Sequence, residues 1–124
     1  MATFRKLVVF SAKGVAMNQV ATGAIDTVPA GSSFHPVQVT VKIIEPPSAM
    51  GQFALTVGTN PPNFTNLAGA RFTDLAIRDA ANRLAQMEIN QSNIPVPENT
   101  EMSYRVAAAA TGGVCDISVV GFLL

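Results

Sequence analysis

Few side chains in this sequence could carry out chemistry. The chain has one histidine, His35, one cysteine, Cys115, and eight scattered carboxylates. General acid–base catalysis near neutral pH commonly uses a histidine or two carboxylates whose pKa values are separated. His35 lies between Phe34 and Pro36 at the start of an alternating segment, a position more typical of a structural histidine than of a catalytic base. We therefore expect that the protein is not an enzyme and has no catalytic residues.

Motifs for metals and cofactors are missing as well. A structural or catalytic zinc site needs at least three protein ligands, and His35 and Cys115 supply only two. The sequence has no Asp-rich calcium loop, no Gly-x-Ser-x-Gly nucleophile elbow and no phosphate-binding glycine spacing. Distant carboxylates could still meet in the fold, but with no Trp and one Tyr the chain lacks aromatic surfaces on which sugars stack. The sequence thus predicts no cofactor and no metal.

The scarcity of charge is the most informative property of the composition. Charged residues make up 13% of the 124 residues, about half of the roughly 25% typical of soluble domains. Eight basic and eight acidic side chains give zero net charge, so nothing attracts nucleic acid or an anionic membrane. A small domain with so few charges must either expose neutral groups as a monomer or have part of its surface covered. We favour the second possibility, in which other protein subunits cover part of the surface, and we therefore expect an oligomer or larger assembly.

We expect neither an export signal nor a membrane span in this sequence. A single cysteine excludes an internal disulfide, which fits synthesis in a reducing cytoplasm. The apolar run from Leu7 to Ala12 ends at Lys13, and we interpret it as a strand and not as a signal peptide. No stretch approaches the roughly 20 apolar residues that span a bilayer.

Alternation of apolar and polar residues with a period of two dominates the sequence and predicts strands. The segment from Val37 to Ile43 is expected to place its alternate residues on the core face. The glycine pair in Thr111-Gly112-Gly113 predicts a hairpin between the last two strands. The polar residues of segment 59–66 predict a loop. Helical spacing from Phe72 to Leu84 predicts one short helix. The predicted strands are 7–12, 34–43, 53–57, 85–89, 102–108 and 115–123.

Two segments share a turn pattern of an apolar residue, Pro, a variable residue, Gly or Asn, and a hydroxyl residue. They are Val28–Ser32 and Val96–Thr100, and each is followed at once by an alternating strand. Two such turns, each leading into a long strand, are typical of a β-sandwich in which the chain crosses between the two sheets. The sequence therefore predicts a single all-β domain over 1–124, an antiparallel jelly-roll-like β-sandwich with one short helix.

The order of these turns and strands along the chain is similar to that of a known group of proteins. Pro29-x-Gly31-Ser32, the long strand, Leu55–Thr59, Val96–Thr100 and the apolar C-terminal strand follow one another between Ile25 and Leu124. This order resembles small β-sandwich virion proteins of tailed bacteriophages, which include capsid cement (decoration) proteins and head or tail attachment domains, many of them trimeric. The chain departs from that group in its insert at 72–84 and in its aromatic, basic first strand.

The resemblance implies a capsid cement protein at the capsid surface of a virion, synthesised in the host cytoplasm. Its partners would be the major capsid protein and further copies of itself, most simply as a trimer. We predict that subunit or capsid interfaces use five apolar residues: Phe4, Leu7, Val9, Ile44 and Phe64. The alternative for these residues is that they fill the core of the domain itself.

Two other functions are open at this level. A tail or receptor-binding module would contact a host-surface glycan or protein, with 59–66 as its candidate site and few copies in each particle. A small hydrolase or ligand-binding domain would need a pocket around His35 with an acid nearby.

Overall fold

The computed structural model describes residues 6–60, 63–72, 83–87, 89 and 95–124, without the side chains of residues 60 and 63–66. No helix occurs in these ranges, and so none that could cross a membrane. The strands are β1 (Lys6–Ala16), β2 (Ala21–Thr27), β3 (Phe34–Glu45), β4 (Ala54–Asn60), β5 (Asn63–Arg71), β6 (Leu84–Met87), β7 (Glu101–Ala108) and β8 (Val114–Leu123).

The strands form two four-stranded sheets in which every pairing is antiparallel. Sheet A has the order β1-β8-β3-β6, and sheet B has the order β2-β7-β4-β5. The first strand pairs with the eighth, the second with the seventh, the third with the sixth and the fourth with the fifth. Such pairing results when one long antiparallel hairpin is rolled into two sheets, which is the jelly-roll arrangement. The predicted all-β, jelly-roll-like sandwich is confirmed.

The hydrophobic core lies between the two sheets and is built by alternate residues of the strands. Because successive side chains of a strand point to opposite faces, each long strand supplies the core with every second residue. At one end the ring of Phe34 meets that of Phe10 edge-on, with 4.9 Å between ring centroids. Fully buried members from the two sheets are Val39, Val41, Ile43, Cys115, Ile117, Val119, Leu55, Val57, Met102 and Val106.

The two segments with the shared turn pattern lie side by side in the fold. Val28 donates its N–H to the carbonyl of Thr100 at 3.0 Å, and Asn99 donates its N–H to the carbonyl of Val28 at 2.8 Å. Asn99 has a positive φ of 62°, which Asn tolerates better than most residues. The pattern in the sequence therefore marks two turns that close the same end of the sandwich.

A carboxylate also joins these turns. Glu98 accepts a hydrogen bond from the N–H of Gly31. We expect Glu98→Ala to lower the free energy of unfolding by about 1 kcal/mol or less, because this charge-assisted bond is exposed to water. Thermal denaturation of Glu98→Ala beside Glu45→Ala, an exposed carboxylate at the end of β3, measures the effect. An equal Tm for the two variants would contradict it.

Strands β2 and β5 were not predicted. Strand β2 has one large apolar residue, Ile25, and its Gly23 leaves space for the ring of Tyr104. Among the described side chains of β5, Leu67 and Ala68 are buried in the core. The loop predicted at 59–66 is wrong, since Thr59 and Asn60 end β4, and 63–66 begin β5. Neither strand carries enough large apolar residues for alternation to be visible.

The hairpin predicted at Thr111-Gly112-Gly113 is also wrong. Strand β7 belongs to sheet B and β8 to sheet A, so this segment crosses from one sheet to the other. Gly112 and Gly113 have φ values of 73° and 95°, which favour glycine. Thr111 accepts a hydrogen bond from Ser48, and Gly113 accepts one from Met17. A glycine pair thus serves an inter-sheet crossing here and not a tight hairpin.

Val37 does not lie on the core face as predicted. The pairing of β3 with β8 shifts between Pro36 and Gln38, so Val37 is an extra residue in a β-bulge. Its side chain is 58% exposed, whereas Val39, Val41 and Ile43 beyond the bulge are buried.

The predicted helix from Phe72 to Leu84 falls mainly on residues 73–82, which lie outside the described residues. At its ends, Phe72 is a buried residue just after β5, and Leu84 is the first residue of strand β6 and not helical.

Candidate functional site

The single histidine belongs to a local hydrogen bond. The Nε2 atom of His35 lies 3.2 Å from the hydroxyl of Ser33, and the imidazole is half-buried near the end of sheet A. Across the ranges that the structure describes, no three His, Cys, Asp or Glu side chains come together as metal ligands. The geometry therefore offers no specific support for chemistry at His35.

Cys115 is a core residue of β8. It is fully buried between Val15 of β1 and Ile43 of β3, its partners in the two neighbouring strands. Burial, followed by the negative charge of Asp116, raises the pKa of the Cys115 thiol to about 12. A buried thiol with so high a pKa packs as a small hydrophobic side chain.

One end of the outer face of sheet A exposes apolar side chains on neighbouring strands. Leu7 of β1 is 61% exposed and lies opposite Phe122 of β8. Val9 is 56% exposed and lies opposite Val120. Val37 of β3, beside Val120 in the bulge, extends this surface to a third strand. We call these five residues the outer patch: Leu7, Val9, Val37, Val120 and Phe122.

The outer face becomes polar away from the outer patch. The next row holds Ser11 and Ser118, whose hydroxyl oxygens are 3.2 Å apart, with Thr40 beside them. The row after that holds Asp116 and Lys42, opposite each other in the register of β8 and β3. Along β8 the face therefore changes from apolar, through hydroxyl, to charged, whereas β6 places the exposed Leu84 beside Lys42.

The structure brings together only part of the predicted interface. Leu7 and Val9 lie side by side on the outer face. Ile44 is 38% exposed, but it lies in a second bulge of β3, near the level of Cys115. Phe122 and Cys115 are seven residues apart in β8, or about 23 Å, so Ile44 lies far from the outer patch.

The other two predicted interface residues cannot be placed. Phe4 precedes β1 and lies outside the described residues, and Phe64 lies in β5 without a described side chain. Sequence reasoning also missed three members of the outer patch. Val120 and Phe122 sit in a nearly continuous apolar run at the C-terminus, where alternation cannot assign faces, and Val37 is displaced by its bulge.

Two open grooves lie beside the sheets. One, of about 490 Å³, adjoins the outer patch between β3 and β6 and is lined by Val37, Gln38, Gln86, Met87 and Ile89. The other, of about 340 Å³, lies at the edge of sheet B and is lined by Val20, Ala21, Thr22 and Arg105. The larger groove has no charged lining residue in the described part of the chain, so it continues the uncharged character of the outer patch.

The fold, but not the sequence, is similar to known structures. No protein-family model and no curated protein matches the chain. A chain of the acidic stable capsid structure of Helicobacter pylori bacteriophage KHP30 matches with a TM-score of 0.62 and 16% identity, covering 100% of this chain and 90% of that one. A chain of the cyanophage Pam1 capsid asymmetric unit matches with a TM-score of 0.63 and 15% identity, covering 100% and 89%.

A third similar chain comes from the capsid of Ralstonia phage GP4. It matches with a TM-score of 0.57 and 16% identity, covering 100% of this chain and 86% of that one. The similarity extends over the whole described sandwich in all three cases. This chain therefore shares its complete fold with chains found in three phage capsids.

Proposed function

We propose that this chain is a structural protein of a phage virion, a capsid cement or decoration protein that binds the head lattice. The observation that carries the proposal is the match of its whole length to chains of three capsid structures. The two antiparallel sheets of the structure agree with the β-sandwich that the resemblance implies. The partner would be the major capsid protein, on the capsid surface of the particle.

The surface of the chain supports a role in contacts between proteins. With 16 charged residues in all, the chain has few of the charges that keep a lone domain soluble. Its outer patch exposes apolar side chains that the core does not use. Burying such surface stabilises a contact by about 25 cal/mol per Å², so binding across neighbouring capsid subunits would resist their separation.

The proposal includes a symmetric oligomer, most simply a trimer, and no enzymatic activity. Symmetric copies repeat the same contact, so several weak contacts act together on the lattice. The tail-module alternative loses its main argument, because the segment proposed for its site belongs largely to strands β4 and β5.

Copy number tests the proposal. We expect quantitative mass spectrometry of purified particles to find this chain in a fixed ratio to the major capsid protein, in tailless heads as well as in complete virions. Heads that lack the chain should lose their genome at lower temperature than heads to which it has been added back. A few copies that fractionate only with tails, or no association with particles, would exclude a cement protein.

A further inference from the structure

We propose that the outer patch docks on an uncharged apolar surface of the capsid lattice, through a contact too small to hold unless several act together. This inference rests on the proposed function. It adds the face that docks, the chemistry of the partner surface and the need for several simultaneous contacts. The occupant is the lattice and not a second copy of the chain.

The first argument is that the outer patch has no role inside the sandwich. Leu7 and Val9 point away from the core, while their neighbours Val8 and Phe10 pack against it. Cross-strand pairing with Phe122 and Val120 gathers these side chains on adjacent strands. The patch is therefore preformed on a rigid sheet, and docking needs little ordering of the backbone.

The second argument comes from charge. The rows that contain Leu7 and Val9 hold only apolar residues in β1 and β8. In β3 the same rows continue with His35, opposite Phe122, and with Gln38, opposite Val120. The nearest carboxylate and ammonium groups of β8 and β3 on this face are Asp116 and Lys42, and Asp116 already accepts a hydrogen bond from the N–H of Gly14 at 2.9 Å. A charged partner group would lose its water against the patch and would find no carboxylate or ammonium group among the described residues of these rows. The complementary surface must therefore be uncharged.

The third argument comes from area. The four strands of sheet A have 11, 10, 12 and 4 residues. At about 3.3 Å per residue and about 4.8 Å between strands, the outer face has a planar area of about 600 Å², and the apolar end is about half of it. A stable interface of ordinary size buries about 800 Å² on each partner. Two copies stacked by this face alone would therefore separate in solution. A lattice with many identical sites can hold the same contact, because one oligomer binds several sites at once.

Sedimentation with capsids prepared without this chain tests the docking face. We expect Val9→Glu to reduce the amount bound at least tenfold, because it places an unpaired carboxylate in the contact. Lys42→Glu places the same carboxylate at the charged end of the same face, outside the outer patch, so it should bind like the original chain. Val9 and Lys42 are both exposed, and unchanged Tm values would show that the fold is intact.

Two further measurements test the chemistry and the regime. Binding to capsids should not weaken when salt is raised, because no ion pair carries the contact. Affinity for dissociated capsid subunits should be about 100-fold or more below affinity for intact capsids. Equal affinity for dissociated subunits and for intact capsids would show that a single contact is enough for binding, which would overturn the inference.

The outcomes separate this inference from the proposed function. If the original chain binds capsids and Val9→Glu binds equally well, the docking face is wrong and the proposed function stands. If Val9→Glu changes the oligomeric state measured by analytical ultracentrifugation, the occupant is a second copy and the inference is overturned. If the original chain does not bind capsids at all, the proposed function fails.

Discussion

Replacing Gly121 by alanine is expected to destabilise the sandwich by about 3 kcal/mol or more. A Cβ atom at this position would overlap the carbonyl oxygen of His35 and lie 2.7 Å from the Cζ atom of Phe34. The carbonyl belongs to the backbone of β3, which cannot move without disturbing its pairing with β8. The ring of Phe34 is fully buried and in contact with Phe10, so it has little freedom to turn away.

Gly69→Ala is the matched control for this prediction. Gly69 also lies within a strand, but the closest contact of an added Cβ would be the Cγ2 methyl of Thr56 at 3.2 Å, with the carbonyl oxygen of Leu55 at an ordinary 3.9 Å. A side-chain methyl can shift by a few tenths of an ångström, so we expect a loss of about 1 kcal/mol or less. Chemical denaturation of both variants measures the difference in free energy of unfolding. Equal losses would mean that the close approach of β8 to β3 is not what requires glycine at 121.

Six of the eight strands could be predicted from the sequence because apolar residues recur at alternate positions in each of them. In β3, Val39, Val41 and Ile43 report the core face directly. Strands β2 and β5 hold their places through backbone pairing with β7 and β4, which leaves no such trace in the sequence. A jelly roll can therefore be recognised from its large-residue strands while the remaining strands stay hidden.

The errors in the predicted connections have a common physical cause. Gly112-Gly113 supplies the left-handed backbone conformations that a sharp change of direction needs, whether the chain returns in one sheet or crosses to the other. The choice between these outcomes depends on which partner strands are available. β8 pairs with β1 and β3, both distant in sequence from β7, and local residues cannot encode that.

The candidate site was predictable only in part for a related reason. Leu7 and Val9 alternate with core residues of an edge strand, so the sequence could identify them as apolar but not decide which face they occupy. Register decides it, because Val9 opposes Val120 while Phe10 opposes the buried Val119. The outer patch exists because two strands far apart in sequence align their surplus apolar residues.

Cys115 is expected to react with iodoacetamide at pH 8 about a thousandfold more slowly in the folded protein than in denaturant. Alkylation requires the thiolate, and burial followed by the charge of Asp116 raises the pKa of the thiol from 9.0 to about 12. Intact-mass measurements over time give both rates. An added exposed cysteine, Gln52→Cys in the turn before β4, serves as an internal control that should label rapidly in the folded protein.

The same pKa difference makes stability depend on pH at the alkaline end. Because the pKa of the Cys115 thiol is higher in the folded state than in the unfolded state, its contribution to stability is complete below pH 9. That contribution is lost as pH rises towards about 12, since the unfolded chain ionises first and is favoured. Cys115→Val keeps an apolar group of similar size in the core and removes the ionisation, so its stability should fall less over this range. If the thiol of the folded protein is alkylated within tenfold of its rate in denaturant, β8 does not seal Cys115 between the sheets. The same conclusion would follow if Cys115→Val lost as much stability at alkaline pH as the original chain.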